Sequence, residues 1–363
     1  MSDTRPTVEY SSTTSAVVPD RWMFRFSLLW CAATLFLLVA GGMVTSTGSG
    51  LAVPDWPTTY DQPMFRFPLS GMVGGIFYEH GHRLVATCVG MLTCAMVGLL
   101  FWREKRAWIR KLGYFALAAV IAQGLLGGLT VKLMLPAPVS IGHAGLAQIF
   151  FCTVVAIALF LSPGWVRAVP RPASSAGAGL RGICLAATAM IYAQIVLGAV
   201  VRHTQSGLAI PDFPMSYGKL VPPFDADSLT QINVDRRWDP PYLPEVSAGQ
   251  IAAAFAHRAN ALLVALLVAA AAIRVLRNCR GEKWLTRPAW LLLGLLPTQI
   301  LLGAWTVWSQ RTPAINTAHV VVGASLLATS LVLALRMRRL YPVKRVEAPR
   351  VVPLRGSLEG AAT

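Results

Sequence analysis

The sequence predicts an all-α polytopic membrane protein. Its eight transmembrane helices form two parallel-repeat four-helix bundles, with the N and C termini both cytoplasmic. Three observations carry this. The 363-residue chain is 55% hydrophobic and 13% charged, where a soluble domain carries about 25% charged residues. Eight apolar runs approach the ~20 residues needed to cross a bilayer core. The second half of the chain also repeats the first.

The runs are 26–44, 84–102, 112–131, 141–161, 182–201, 251–273, 288–308 and 315–335. Helices are the expected spanning form, because lipid offers backbone groups no water to bond. Lys and Arg in the connections set the orientation. With the N-terminus inside, the inner segments hold 23 basic residues and the outer loops 7. Residues 1–25 then form a cytoplasmic tail, 26–161 the first bundle, 162–181 a cytoplasmic linker, 182–335 the second bundle and 336–363 a second tail. The two long loops, 45–78 and 202–250, face the periplasm. The polar first 21 residues lack the apolar core of a signal peptide and the Arg-rich, acid-poor character of a transit sequence. A multi-pass protein of the bacterial inner membrane is expected.

The net charge of +16 does not call for nucleic acid, because the basic residues sit at the ends of apolar runs rather than on one face. The six cysteines include no CxxC pair and none in an outer loop. Neither a disulfide framework nor a structural zinc site is expected.

The repeat is explicit. Ser49-Gly50-Leu51-Ala52-Val53-Pro54-Asp55-Trp56-Pro57 is answered by Ser206-Gly207-Leu208-Ala209-Ile210-Pro211-Asp212-Phe213-Pro214, 157 residues later. His82-Arg83 is answered by His257-Arg258, Gln123 to Gly127 by Gln299 to Gly303, and His143 by His319, at offsets of 175 to 176. The change of offset marks an insertion in the second long loop. Each half has four spans, so both enter the membrane in the same direction.

His82, His143, His257 and His319 occupy equivalent places and one depth, near the periplasmic side. One imidazole from each of two facing helices suits axial ligation of a haem iron. A lone buried histidine is more often a structural group bonding a carbonyl. Four at matched positions in membrane spans point to function. His80 and His203 have no such match and are read as structural.

Glu79 lies three residues before His82, on the same helix face, while the second half has Ala254 at that place. The first site therefore keeps an acid able to act as a general base, and the second does not. An interfacial cap on the helix is the plainer alternative. Arg83 and Arg258 are candidates for pairing with haem propionates; snorkelling to the interface accounts for them equally well. Gln123, Gln194 and Gln299, each four before a glycine, read as helix-packing residues. The Pro-Asp-aromatic-Pro loops read as rigid turns.

With Glu79, His82-Arg83, His143, His257-Arg258, His319 and the paired loops in view, the chain resembles the haem A synthase family over most of residues 24–336. It resembles the proteobacterial and mitochondrial branch, which lacks outer-loop cysteines. The resemblance implies an oxidoreductase that oxidises the C8 methyl of haem O to a formyl group by successive hydroxylations, making haem A for cytochrome oxidase. It implies that His82 and His143 flank the substrate haem, that His257 and His319 hold haem b as cofactor, and that Glu79 is the functional carboxylate. Expected partners are the lipid bilayer, haem O synthase, cytochrome oxidase assembly factors, an electron acceptor of open identity and a further copy of the chain. The main rival is a dihaem b-type electron-transfer cytochrome, which explains the histidines but not Glu79 opposite Ala254. A transporter explains the repeat but not histidines gathered towards one face.

Overall fold

The computed structural model describes residues 19–171 and 175–342. Eight of its helices are long and apolar enough to cross a membrane. They are α1 (Arg21–Ser46), α2 (Gly75–Arg103), α3 (Ala107–Lys132), α4 (Ala137–Leu161), α6 (Ser175–His203), α8 (Ala248–Asn278), α9 (Lys283–Trp308) and α10 (Pro313–Leu340). Two shorter helices, α5 (Pro163–Arg167) and α7 (Ala226–Trp238), lie in connections.

All eight expected spans are present, and each helix outruns its apolar core. α1 starts at Arg21, inside the stretch assigned to a tail, because the Asp20 side chain accepts bonds from the Trp22 and Met23 amides and caps it. α2 starts at Gly75, about two turns before His82, which therefore sits within the helix although it precedes the apolar run 84–102. α8 starts one residue after Ser247, where Ser247 and Gln250 form a reciprocal capping box. α6 begins inside the expected linker, and α10 runs five residues into the expected second tail. The expected tails otherwise lie largely outside the described residues.

Helix neighbours fall into two rings. α1 packs on α2 and α4, and α3 packs on α2 and α4. In the same way α6 packs on α8 and α10, and α9 packs on α8 and α10. Each ring has its own apolar core, one around Trp30, Met96, Ile109 and Ile157 and the other around Val268, Leu285, Leu327 and Met337. The rings meet where α1 touches α10, α4 touches α6, and α4 touches α10. Phe151, Ala324 and Ala328 pack there against Leu35 and Leu38.

Candidate functional site

The two long loops share one local design. In the first, the Asp55 carboxylate accepts from the Tyr60 and Asp61 amides, and the Tyr60 hydroxyl donates to the Ala52 carbonyl. In the second, Asp212 accepts from the Tyr217 and Gly218 amides, and Tyr217 donates to the Ala209 carbonyl. A side-chain carboxylate that bonds nearby amides fixes a turn without regular structure. Burial opposes ionisation of Asp55, but bonds from Thr58, Asp61 and Tyr60 hold its carboxyl below the usual range. The Trp56–Pro57 and Phe213–Pro214 bonds are both cis.

Each loop is clamped to its bundle by the arginine beside the candidate ligand. Arg83 on α2 donates to the carbonyls of Asp55 and Thr58 through Nη1 and of Val53 through Nη2, at 2.8 to 2.9 Å. Arg258 on α8 does the same to Asp212, Met215 and Ile210, at 2.7 to 3.0 Å. The forks that the sequence offered to haem propionates are thus directed at loop carbonyls. Three acceptors at fixed positions use the planar spread of guanidinium donors, which lysine lacks.

The four histidines follow a rule that the sequence reading missed. Each ring lies against a glycine of a neighbouring helix. A Cβ placed on Gly41 would stand 3.1 Å from His82 Nε2, and one on Gly127 would stand 3.4 Å from His143 Cε1. A Cβ on Gly198 would stand 3.0 Å from His257 Cε1, and one on Gly303 would stand 3.0 Å from His319 Cε1. Gly41 and Gly198 are 157 residues apart, and Gly127 and Gly303 are 176 apart. The glycines therefore obey the same repeat as the histidines, and that match was available from sequence. His82 lies within electrostatic reach of His143, and His257 within reach of His319.

The glutamines next to these glycines reach the histidine-bearing helices. Gln123 donates to the His143 carbonyl at 2.9 Å, and Gln194 donates to the His257 carbonyl at 2.9 Å. Gln194 also stands 3.1 Å from His257 Nδ1 and accepts from Asn260 at 2.7 Å. Gln299 stands 3.4 Å from His319 Nε2. His82 has no such partner in the corresponding place, because Leu37 stands where Gln194 stands in the second half.

Glu79 is buried at 4% exposure. Its Oε1 accepts from Arg83 Nη2 at 2.6 Å, and its Oε2 accepts from the Val53 amide at 2.7 Å. His80, read as structural, is buried and bonds Thr59 through Nδ1 at 3.0 Å. Glu79, His80 and Arg83 thus all fasten the first loop to α2. At the Glu79 position of the second half, Ala254 joins an apolar cluster with Ile210, Ile232, Val246 and Ile251. Ile232 belongs to α7, which the sequence showed only as an insertion.

His203 ends α6 within electrostatic reach of His143. Its neighbour Arg202 crosses between the halves to Ser46 Oγ at 2.8 Å and the Gly42 carbonyl at 3.3 Å. Ser46 also bonds Thr317 at 3.0 Å, two residues before His319.

These residues fit a haem in each half. The donors come as one imidazole on each of two helices. The Nδ1 atoms of His143 and His319 are buried without a hydrogen-bond partner, at matched places. An unsatisfied buried polar atom costs roughly 1–3 kcal/mol, a cost that coordination through that same Nδ1 atom would offset. Small residues where the rings lie let helix backbones come close to them.

The chain matches the model of the cytochrome oxidase assembly protein family, COX15-CtaA, over residues 24–331. It is 29% identical to a haem A synthase of Caulobacter sp. (strain K31), covering 88% of this chain and 95% of that protein. It is 28% identical to one from Halalkalibacterium halodurans, covering 84% and 93%. To one from Rhodopseudomonas palustris (strain BisB5) it is 27% identical, covering 89% and 92%.

Proposed function

Since the chain belongs to the haem A synthase family of cytochrome oxidase assembly proteins, we propose that it oxidises the C8 methyl of haem O to a formyl group. Two successive hydroxylations, each taking its oxygen from water and releasing two protons and two electrons, give a geminal diol, which loses one water. The net change, –CH3 and H2O to –CHO, releases four protons and four electrons, the electrons passing to an acceptor outside the chain. The observation that carries this reading is the set of four ring-to-glycine seats at repeat-equivalent positions, with a buried acid on the ligand-bearing helix of one half only, Glu79 where the other half has Ala254.

In this reading the halves are related by an axis along the membrane normal, and the loop ends of both bundles face the periplasm of a bacterial inner membrane. The swapped contacts α1 with α10 and α4 with α6 support the two-fold relation. The excess of Lys and Arg in the opposite connections supports the orientation. His82 and His143 flank the substrate haem, and His257 and His319 hold haem b. When bound, haem b supplies one-electron redox chemistry at a potential set by its ligands and surroundings.

The chain's own residues do the rest. Gln194 and Asn260 orient His257, as outer partners commonly orient metal-ligating histidines. Arg83 and Arg258 hold the loops down over the loop ends of the bundles, which shields these ends from water. Glu79 shares a helix face with His82 and is assigned the acid–base role at the substrate site. It acts from a position fixed by Arg83 and the Val53 amide. Haem O synthase and other oxidase assembly factors are the expected neighbours in the membrane.

The test is to incubate purified protein with haem O and an electron acceptor, then extract and separate the pigments. The expected outcome is hydroxylated haem followed by haem A. Unchanged haem O in a protein that still carries haem b and cycles its redox state would establish an electron relay instead.

A further inference from the structure

At the ends of the helices remote from the long loops, a crevice of about 700 Å³ opens between α4, α9 and α10. Its walls include Val155 and Val332, and its rim carries Lys283, Trp284, Arg287 and Arg336. Among the described residues, no carboxylate lines it. The neighbouring acid, Glu282, pairs with Arg171. Arg336 lies over the Trp284 ring at 5.0 Å and donates to the Trp284 carbonyl at 2.7 Å. Its Nε is buried without a partner. Lys283 and Trp284 open α9, where the first backbone amides lack helical acceptors, and the Glu282 side chain caps none of them.

The repeat provides an internal control. At an offset of 176, Trp284 answers to Trp108, Arg287 to Lys111 and Thr329 to Thr153. Lys283, however, answers to Ala107, and Arg336 to Phe160. In the first half Phe160 packs edge-on against Trp108 at 4.8 Å and Trp165 at 4.6 Å. An aromatic stack thus takes the place that Arg336 holds in the second half. A bias of basic residues towards one side of the membrane explains cations at helix ends in both halves alike. It does not explain why Lys283 and Arg336 rim the crevice in one half while Ala107 and a stacked Phe160 stand at the matching places in the other.

We propose that this crevice binds an anionic phospholipid of the adjoining leaflet. The phosphate sits among Lys283, Arg287 and Arg336, and an acyl chain lies along Val155 and Val332. Three cations without an acid match a phosphate, and apolar walls below them match a hydrocarbon tail. Basic pockets between transmembrane helices recognise anionic headgroups in this way. The crevice spans the boundary between the halves, since Val155 belongs to the first and the other lining residues to the second. A lipid there joins the halves at the end opposite the histidines.

The test uses full-length protein stripped of lipid in detergent, followed by native mass spectrometry. Phosphatidylglycerol, cardiolipin, phosphatidylcholine and inorganic phosphate are added in turn. Anionic lipid is expected to be retained about tenfold better than phosphatidylcholine. Lys283→Ala with Arg336→Phe, which imports the first-half residues, should abolish that preference, whereas Lys111→Ala should leave it intact. Arg287→Ala changes only an exposed rim residue and provides a variant that does not disturb packing; it should weaken retention on its own. Equal retention of phosphatidylcholine, an unchanged preference in the variants, or phosphate binding as tightly as lipid would overturn the proposal.

Discussion

The two long loops are folded alike but fastened by different chemistry. Both are turned by an aspartate and clamped at three carbonyls by an arginine. The first is then held by a buried carboxylate: Glu79 takes the Val53 amide and pairs with Arg83. The second is held by hydrocarbon, with Ala254 packed among Ile210, Ile232 and Val246. α7 supplies Ile232, and its buried Arg236 ties Leu208 and Pro244 down through their carbonyls. An apolar cluster is indifferent to protons. A carboxylate is not, and it sits in the half assigned to chemistry. The comparison teaches that the repeat kept the loop scaffold and its arginine clamp while the fastening beneath it diverged, a carboxylate in one half and hydrocarbon in the other.

The largest effect should come from separating the two histidine pairs. His257→Ala is expected to abolish the haem b spectrum of the purified protein. His82→Ala should leave that spectrum in place and abolish conversion of haem O. Equal loss of bound haem in both variants, measured by pigment extraction, would erase the division of labour.

A smaller effect is expected at the acid. Glu79→Gln keeps an oxygen for the Val53 amide but removes the charge beside Arg83. Turnover should fall by about 100-fold, in the range of a lost acid–base group, with haem b content unchanged. Glu79→Ala also leaves Arg83 buried without its ion pair, at roughly 3–5 kcal/mol, and should lower the thermal midpoint as well. Normal turnover in Glu79→Gln would leave the residue a loop fastener only.

The smallest effect tests the packing under the first loop. A Cβ on Gly128 would stand 2.6 Å from the Trp56 ring, so Gly128→Ala should cost roughly 1–3 kcal/mol through overpacking. The second half has Phe213 and Ala304 at the matching places. Adding Trp56→Phe to Gly128→Ala should therefore restore much of the thermal midpoint. No rescue would mean that the two pairs do not trade volume.

Much of this was legible in the chain itself. The eight spans follow from hydrocarbon thickness and composition, and the duplication, the four histidines and the Glu79/Ala254 difference can be read by aligning the chain with itself. Local chemistry fixed the helix starts at Asp20 and Ser247, although apolar length alone placed them several residues late. Three of the glycines that seat the imidazoles, Gly127, Gly198 and Gly303, read from sequence as packing residues, while Gly41 goes unread. What only the tertiary structure decided is where long polar side chains spend their bonds. Arg83 and Arg258 read from sequence equally as propionate partners or as snorkelling cations, and only the folded loop shows three carbonyls brought to each. Arg202 reads as the end of a span until packing carries it across to Ser46. Periodicity records which face of a helix is apolar. It does not record which of several acceptors, distant in sequence, will arrive within 3 Å of a flexible guanidinium.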